Sequence, residues 1–168
     1  VDTLNEEQHN VLDDHAWGLL RERIARVEYD AVLESPPCGT FSAFLAAVFT
    51  GELLPRCLRG VDGPDRYGLK DLTQAEMEKV RVGTLLACRA AEAAKIAHDK
   101  RIPWLNEQLA VREGHPSMYH LDEWQAARVL PGVRRKVIPH CNLGAEFEKF
   151  TELWYVSKLD LGDVEEVC

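Results

Sequence analysis

The sequence predicts an α/β fold with a doubly wound, mostly parallel sheet. Three observations carry that prediction. Strand-like apolar runs alternate with stretches of helical periodicity along most of the chain. Ala31, Val32 and Leu33 have the continuous apolar character of a strand covered on both faces. A long helical stretch then separates that run from the next strand, as a parallel crossover requires.

The elements follow in order. Trp17, Leu20, Ile24 and Val27 recur at helical spacing and predict an amphipathic helix from about residue 14 to 27. Ala31–Leu33 forms a buried strand that runs into Ser35-Pro36-Pro37-Cys38, where two prolines lock φ at about −65° and stiffen the backbone ahead of the thiol. Residues 51 to 71 carry Gly51, Gly60, Gly63, Gly68, Pro55 and Pro64 and read as a long irregular loop. Thr73-Gln-Ala-Glu76 is a capping-box pattern opening a helix that runs to about Lys100. Pro103-Trp104-Leu105 predicts a short buried strand ending at Glu107. Leu121 to Leu130 predicts a helix stopped by Pro131-Gly132. Val133–Pro139 and Leu153–Leu159 carry β-branched and aromatic residues and read as strands, separated by a turn-rich stretch around Asn142 and Gly144.

A chain of 168 residues with 46% hydrophobic content suits a single domain spanning 1–168. No apolar run reaches the roughly 18 residues that span a bilayer, and no signal-peptide pattern opens the chain, so no membrane partner is expected. The five cysteines Cys38, Cys57, Cys88, Cys141 and Cys168 form no Cys-x-x-Cys pair. This favours an intracellular location, nuclear in a eukaryote, over a disulfide framework or a zinc site, and no metal is expected. His140 beside Cys141 is the histidine nearest to a ligand arrangement. A net charge of −8 argues against strong autonomous binding to nucleic acid, so any DNA contact must be local or transient.

Ser35-Pro-Pro-Cys-Gly-Thr-Phe-Ser42 resembles the Pro-Cys loop of the DNA cytosine-5 methyltransferases, Pro-Cys-Gln-x-Phe-Ser, with Gly39 where that family usually has Gln. Ile102-Pro-Trp-Leu-Asn-Glu-Gln108 is similar to the strand that ends in the family's glutamate, which matches Glu107. Val137-Ile-Pro-His-Cys-Asn-Leu-Gly144 with Lys149-Phe-Thr151 resembles a "Gln-Cys-x-Leu-Gly … Lys-Pro-Thr" segment of divergent relatives, Phe150 departing from the proline. These segments span about residues 28 to 157. The resemblance implies a Rossmann-like, S-adenosylmethionine-dependent methyltransferase-like fold and S-adenosylmethionine as cofactor. It implies Cys38 and Glu107 as catalytic residues. Asp2, Asn10, Ser35 and Pro36 would face the cofactor, and Ser42, Arg112 and Lys149 the DNA. Asp2 matches the acid that binds the cofactor ribose, and Asn10 stands where an Asp commonly faces adenine. No Gly-rich cofactor turn precedes Tyr29, so that part of the site is expected in an upstream region or a partner chain.

Cytosine carbon 5 is a weak nucleophile. In the implied reaction the Cys38 thiolate adds to carbon 6 and makes carbon 5 enamine-like, while Glu107 holds ring nitrogen 3 and the exocyclic amine. The base must first leave the stack, at a cost of a few kcal/mol. Each residue also has a plainer reading. A lone cysteine is more often a small buried hydrophobe. Glu107 suits a cap or an ion pair, and Arg59, Arg112 and Lys149 suit a solvated surface. Cys57, Cys88, Cys141 and Cys168 read as structural or incidental. Two other functions stay open: an inactive methyltransferase remnant serving as a binding or assembly module, and a methyltransferase acting on an amino group. For the second, Ser-Pro-Pro followed by an aromatic is the expected motif, and Cys38 replaces the aromatic.

Overall fold

The computed structural model describes residues 10–41, 56–139, 150–156, 158, 159 and 161. Within them the chain forms helix α1 (Asp14–Ala25), strand β1 (Val32–Glu34), helix α2 (Gln74–Asp99), strand β2 (Trp104–Leu109), helix α3 (Asp122–Arg128), and strands β3 (Val133–Pro139) and β4 (Phe150–Val156). Short 3₁₀ helices at Gly63–Tyr67 and Met118–His120 complete the set.

The strands form one sheet in the order β1-β2-β4-β3. β1 pairs parallel with β2, whereas β4 runs antiparallel to both β2 and β3. This overturns the doubly wound, mostly parallel sheet read from the sequence: the sheet is mixed, with a single parallel pair. The reason lies in the connections. Between β1 and β2 the chain has room for α2, so it can cross over and return parallel. Only the ten residues 140–149 join β3 to β4. A parallel return needs a dozen residues or more, so β4 folds back against β3.

Local signals set most element ends. Asp13 caps α1 by accepting the Ala16 N–H at 2.8 Å. That helix stops at Ala25, short of the expected residue 27, because Val27 takes a left-handed φ of 60°. The capping box at α2 is present in both directions: Thr73 Oγ1 accepts from Glu76 N–H at 3.3 Å, and the Glu76 carboxylate accepts from Thr73 N–H at 2.8 Å. Several expectations shift. β1 starts one residue later than expected and lies at the edge of the described sheet, with Leu33 72% exposed instead of buried. β2 continues past Glu107 to Leu109, which puts the acid inside a strand rather than at its end. α3 is shorter than the stretch from 121 to 130. β4 starts at Phe150, three residues before the expected Leu153. The described part of the 51–71 loop contains the 3₁₀ helix Gly63–Tyr67.

The core lies between one face of the sheet and helices α2 and α3. Ala87, Ala91, Ala94 and Ala97 place almost no side-chain bulk between α2 and its neighbours, so the helix sits close to Trp104, Trp124 and Trp154. Trp124 donates its indole N–H to the Ala87 carbonyl at 3.0 Å and meets Tyr119 edge-on at 5.5 Å. No helix among the described residues is long and apolar enough to cross a membrane.

Candidate functional site

Parallel pairing of β1 with β2 brings the carboxyl ends of both strands to the same edge of the sheet. The Pro-Pro-Cys loop leaves β1 at that edge, and two contacts tie it to β2. Ser35 Oγ donates to Glu107 Oε2 at 2.5 Å. On the next residue, Gln108 Nε2 donates to the Pro36 carbonyl. Thr151 Oγ1 approaches the other Glu107 oxygen at 3.3 Å, so the loop after β1 and strand β4 both contribute to the seat of this β2 acid. Two residues beyond Pro36, half-buried Cys38 begins a turn closed by the Phe41 N–H to its carbonyl at 2.8 Å.

Beside β1 lies a cavity of about 590 Å³, within the roughly 300–1,000 Å³ range of small-molecule sites. Trp17, Leu20, Ile24 and Tyr29 give it apolar walls, and Asn10, Glu34, Ser35 and Pro36 also line it. Asn10 turns its side-chain oxygen toward the Leu12 N–H at 3.1 Å, in the turn that starts α1. Arg89 also lines this cavity, but its guanidinium binds the Asp14 carboxylate and the Val11 carbonyl.

A buried polar chain runs behind the loop. Burial holds the Glu34 carboxyl well above the usual carboxylate range, against a 3.5 Å hydrogen bond donated by Asn106 Nδ2. Glu34 as a residue is half-buried, between this hydrogen bond and the cavity it lines. The Asn106 oxygen accepts from the Tyr119 hydroxyl at 2.8 Å, and burial pushes that phenol up. Farther along, burial opposes charge on Glu152. Donors from Arg135 (3.0 Å), the Val111 N–H (3.1 Å) and the Trp154 indole (2.6 Å) outweigh it and hold the carboxyl low.

Of the residues singled out from the sequence, the structure brings Ser35 onto Glu107 and Pro36 onto the neighbouring Gln108, with Cys38 two residues farther along the same loop and Asn10 at the adjoining cavity. Arg112 is not among them. It is exposed, and its carbonyl accepts from the His115 N–H at 3.1 Å in the loop after β2. Asp2, Ser42, Lys149, His140, Cys141 and Cys168 lie outside the described residues. Cys57 is exposed, while Cys88 is half-buried with its thiol pushed up to about 12 by burial. Arg59, expected on a solvated surface, is instead buried against the Cys38 turn. Sequence reasoning missed Gln108 and Thr151 as partners of the loop and the acid. The two-residue alternation along β2 puts Gln108 on the face opposite Glu107, and that signal was available. The placement of Thr151 depends on register across β4, which no local pattern encodes.

No protein-family model, curated protein sequence or solved structure matches this chain.

Proposed function

We propose that this chain transfers a methyl group from S-adenosylmethionine to carbon 5 of cytosine in DNA, with Cys38 as nucleophile and Glu107 as the acid. The observation that carries the reading is the 2.5 Å hydrogen bond from Ser35 Oγ to Glu107, which joins the Pro-Pro-Cys loop to the acid across the parallel strand pair. Two motifs that resemble one family's catalytic pair, far apart in sequence, thus meet at one sheet edge.

The chemistry assigns each residue a task. The Cys38 sulfur forms a bond to cytosine carbon 6, and the electron pair of the 5,6 double bond becomes available at carbon 5. Glu107 neutralises the developing negative charge by holding a proton at ring nitrogen 3. Hydroxyls both donate and accept, so Ser35 and Thr151 can support this carboxyl in its ionised and its protonated form. When bound, S-adenosylmethionine supplies the electrophilic methyl sulfonium. The cavity beside β1 suits it in kind: Trp17 and Tyr29 offer aromatic surface for a purine, and Asn10 and Ser35 offer polar edges. Loss of the carbon 5 proton and release of Cys38 then restore the ring. With a net charge of −8, the chain relies on local contacts to the DNA.

The test is transfer of a tritiated methyl from S-adenosylmethionine to cytosine-containing duplex DNA, alongside calorimetric titration of the cofactor. Cys38→Ser is expected to abolish transfer while leaving cofactor binding intact, and Glu107→Gln to slow it by about 10²–10⁴-fold. Transfer that survives Cys38→Ser would overturn the reading. Cofactor binding without transfer would point instead to a binding module.

A further inference from the structure

Two of the described residues that line the cavity beside β1 carry charge, Arg89 and Glu34. Arg89 is 6% exposed and directs its guanidinium to the Asp14 carboxylate and the Val11 carbonyl, so its charge is matched at the start of α1. Glu34 is the last residue of β1, and it lines the cavity together with Ser35, Pro36 and Pro37 of the loop that follows. The parallel register sets it opposite Asn106, whose Nδ2 donates to its carboxylate at 3.5 Å. That donor is a neutral amide, and the contact is longer than a usual N–H···O bond.

The proposed reaction decides which end of the ligand comes to this wall. While the Cys38 sulfur is bonded to cytosine carbon 6, the methyl must reach carbon 5, the neighbouring ring atom. The sulfonium therefore belongs at the part of the cavity that leads to Cys38, which is the run from Glu34 to Pro37. Glu34 supplies a carboxyl there. Burial raises that carboxyl well above the usual carboxylate range, and a cation beside it would offset the cost of its charge. On transfer the electron pair of the broken bond stays on sulfur, so the sulfonium becomes a neutral thioether. An attraction to Glu34 is thus present before transfer and lost after it.

We propose that Glu34 is the counter-ion of the sulfonium, and that it makes this cavity hold the charged methyl donor in preference to the neutral thioether left after transfer. The inference rests on S-adenosylmethionine being the ligand of the cavity, as in the proposed function. Because the attraction fades as the charge moves, Glu34 strengthens binding and eases product release; it does not lower the chemical barrier.

Calorimetric titration of the full chain compares three ligands: S-adenosylmethionine, S-adenosylhomocysteine, which has the neutral thioether, and sinefungin, which carries an ammonium group where the methyl donor has its sulfonium. The parent chain is expected to bind both cations more tightly than the thioether. Glu34→Gln is expected to weaken the two cations about tenfold and to leave the thioether within about twofold, as loss of an opposite charge about 10 Å away at surface-like dielectric implies. Glu34→Asp keeps the charge and is expected to keep the parent's order of the three. An equal effect on all three ligands in a folded Glu34→Gln chain, or no effect on any, overturns this inference alone. A parent chain that prefers the thioether overturns it without any variant, and that measurement decides the matter if Glu34→Gln does not fold. A parent chain that binds none of the three overturns the cofactor assignment and this inference with it. A chain that shows the expected order but transfers no methyl group counts against the proposed chemistry alone.

Discussion

Replacing Glu152 by Gln tests whether the buried polar chain behind the loop supports the fold. Glu152 is 1% exposed, and its two oxygens accept from the Val111 N–H, the Trp154 indole and the Arg135 guanidinium. Hydrogen bonds to a charged group contribute about 1.5–3 kcal/mol each. The Arg135 side chain is 49% exposed, so water screens much of its share and the estimate rests on the Val111 and Trp154 bonds. Glutamine retains one acceptor oxygen and turns an NH₂ toward the remaining donors. The expected loss is about 3 kcal/mol, or a drop in Tm of about 6–12 °C for a domain of this size.

The pH dependence has a definite sign. Because the folded Glu152 carboxyl sits below its ordinary range, its contribution is present above the usual glutamate value of about 4.3 and disappears as pH falls through the lower folded value. Thermal melts of both chains, followed by circular dichroism from pH 7 downward, should therefore converge in acid. A Glu152→Gln chain that melts within about 1 °C of the parent at pH 7 would refute this reasoning.

Other perturbations should follow the same physics. Tyr119→Phe removes the donor to the Asn106 oxygen and should cost about 1–3 kcal/mol in chemical denaturation, with no change in the m-value. Glu34 should have the opposite pH sign from Glu152. Its raised folded pKa means that stability falls as pH climbs from the usual carboxylate range toward that value. Glu34→Gln should accordingly raise Tm at pH 8 and leave it unchanged at pH 4, and equal shifts at both would count against a raised Glu34 pKa. Thr73→Ala breaks the capping box and should lower stability by about 1 kcal/mol, while Thr73→Ser should retain it; equal melts for the two would contradict the cap.

What the sequence made legible was local. The start of α2 is encoded in four consecutive residues, Thr73 to Glu76, and its stop near Lys100 in the chain that follows. β3 was read to the residue, because Val133–Pro139 is bounded by Pro131-Gly132 on one side. The strand order was not legible. It depends on how β4 inserts between β2 and β3, and no residue in β4 announces its neighbours. Arg59 misled because arginine is usually a surface residue. Its burial requires Thr40, Val80 and Arg66 to converge from three separate segments. Within the candidate site, Cys38 stands out by its two prolines and Glu107 by the apolar run before it, but the hydroxyls that seat the acid come from elsewhere, Ser35 from the loop after β1 and Thr151 from β4.

The three-residue pairing of β1 with β2 also has a kinetic consequence. Ser35 and Glu107 are 72 positions apart, so this contact closes a long loop for few hydrogen bonds, whereas β3 and β4 pair across a ten-residue connection. The β3–β4 hairpin should form early, and the β1 edge should dock only after α2 has consolidated on the sheet. In native-state hydrogen exchange the amides of β1 should open before those of β4. Cys38, carried on the loop after β1, would then sit on the last segment to assemble and the first to detach, while Glu107 stays in β2, so mild destabilisation would separate the two and silence the site while most of the fold persists.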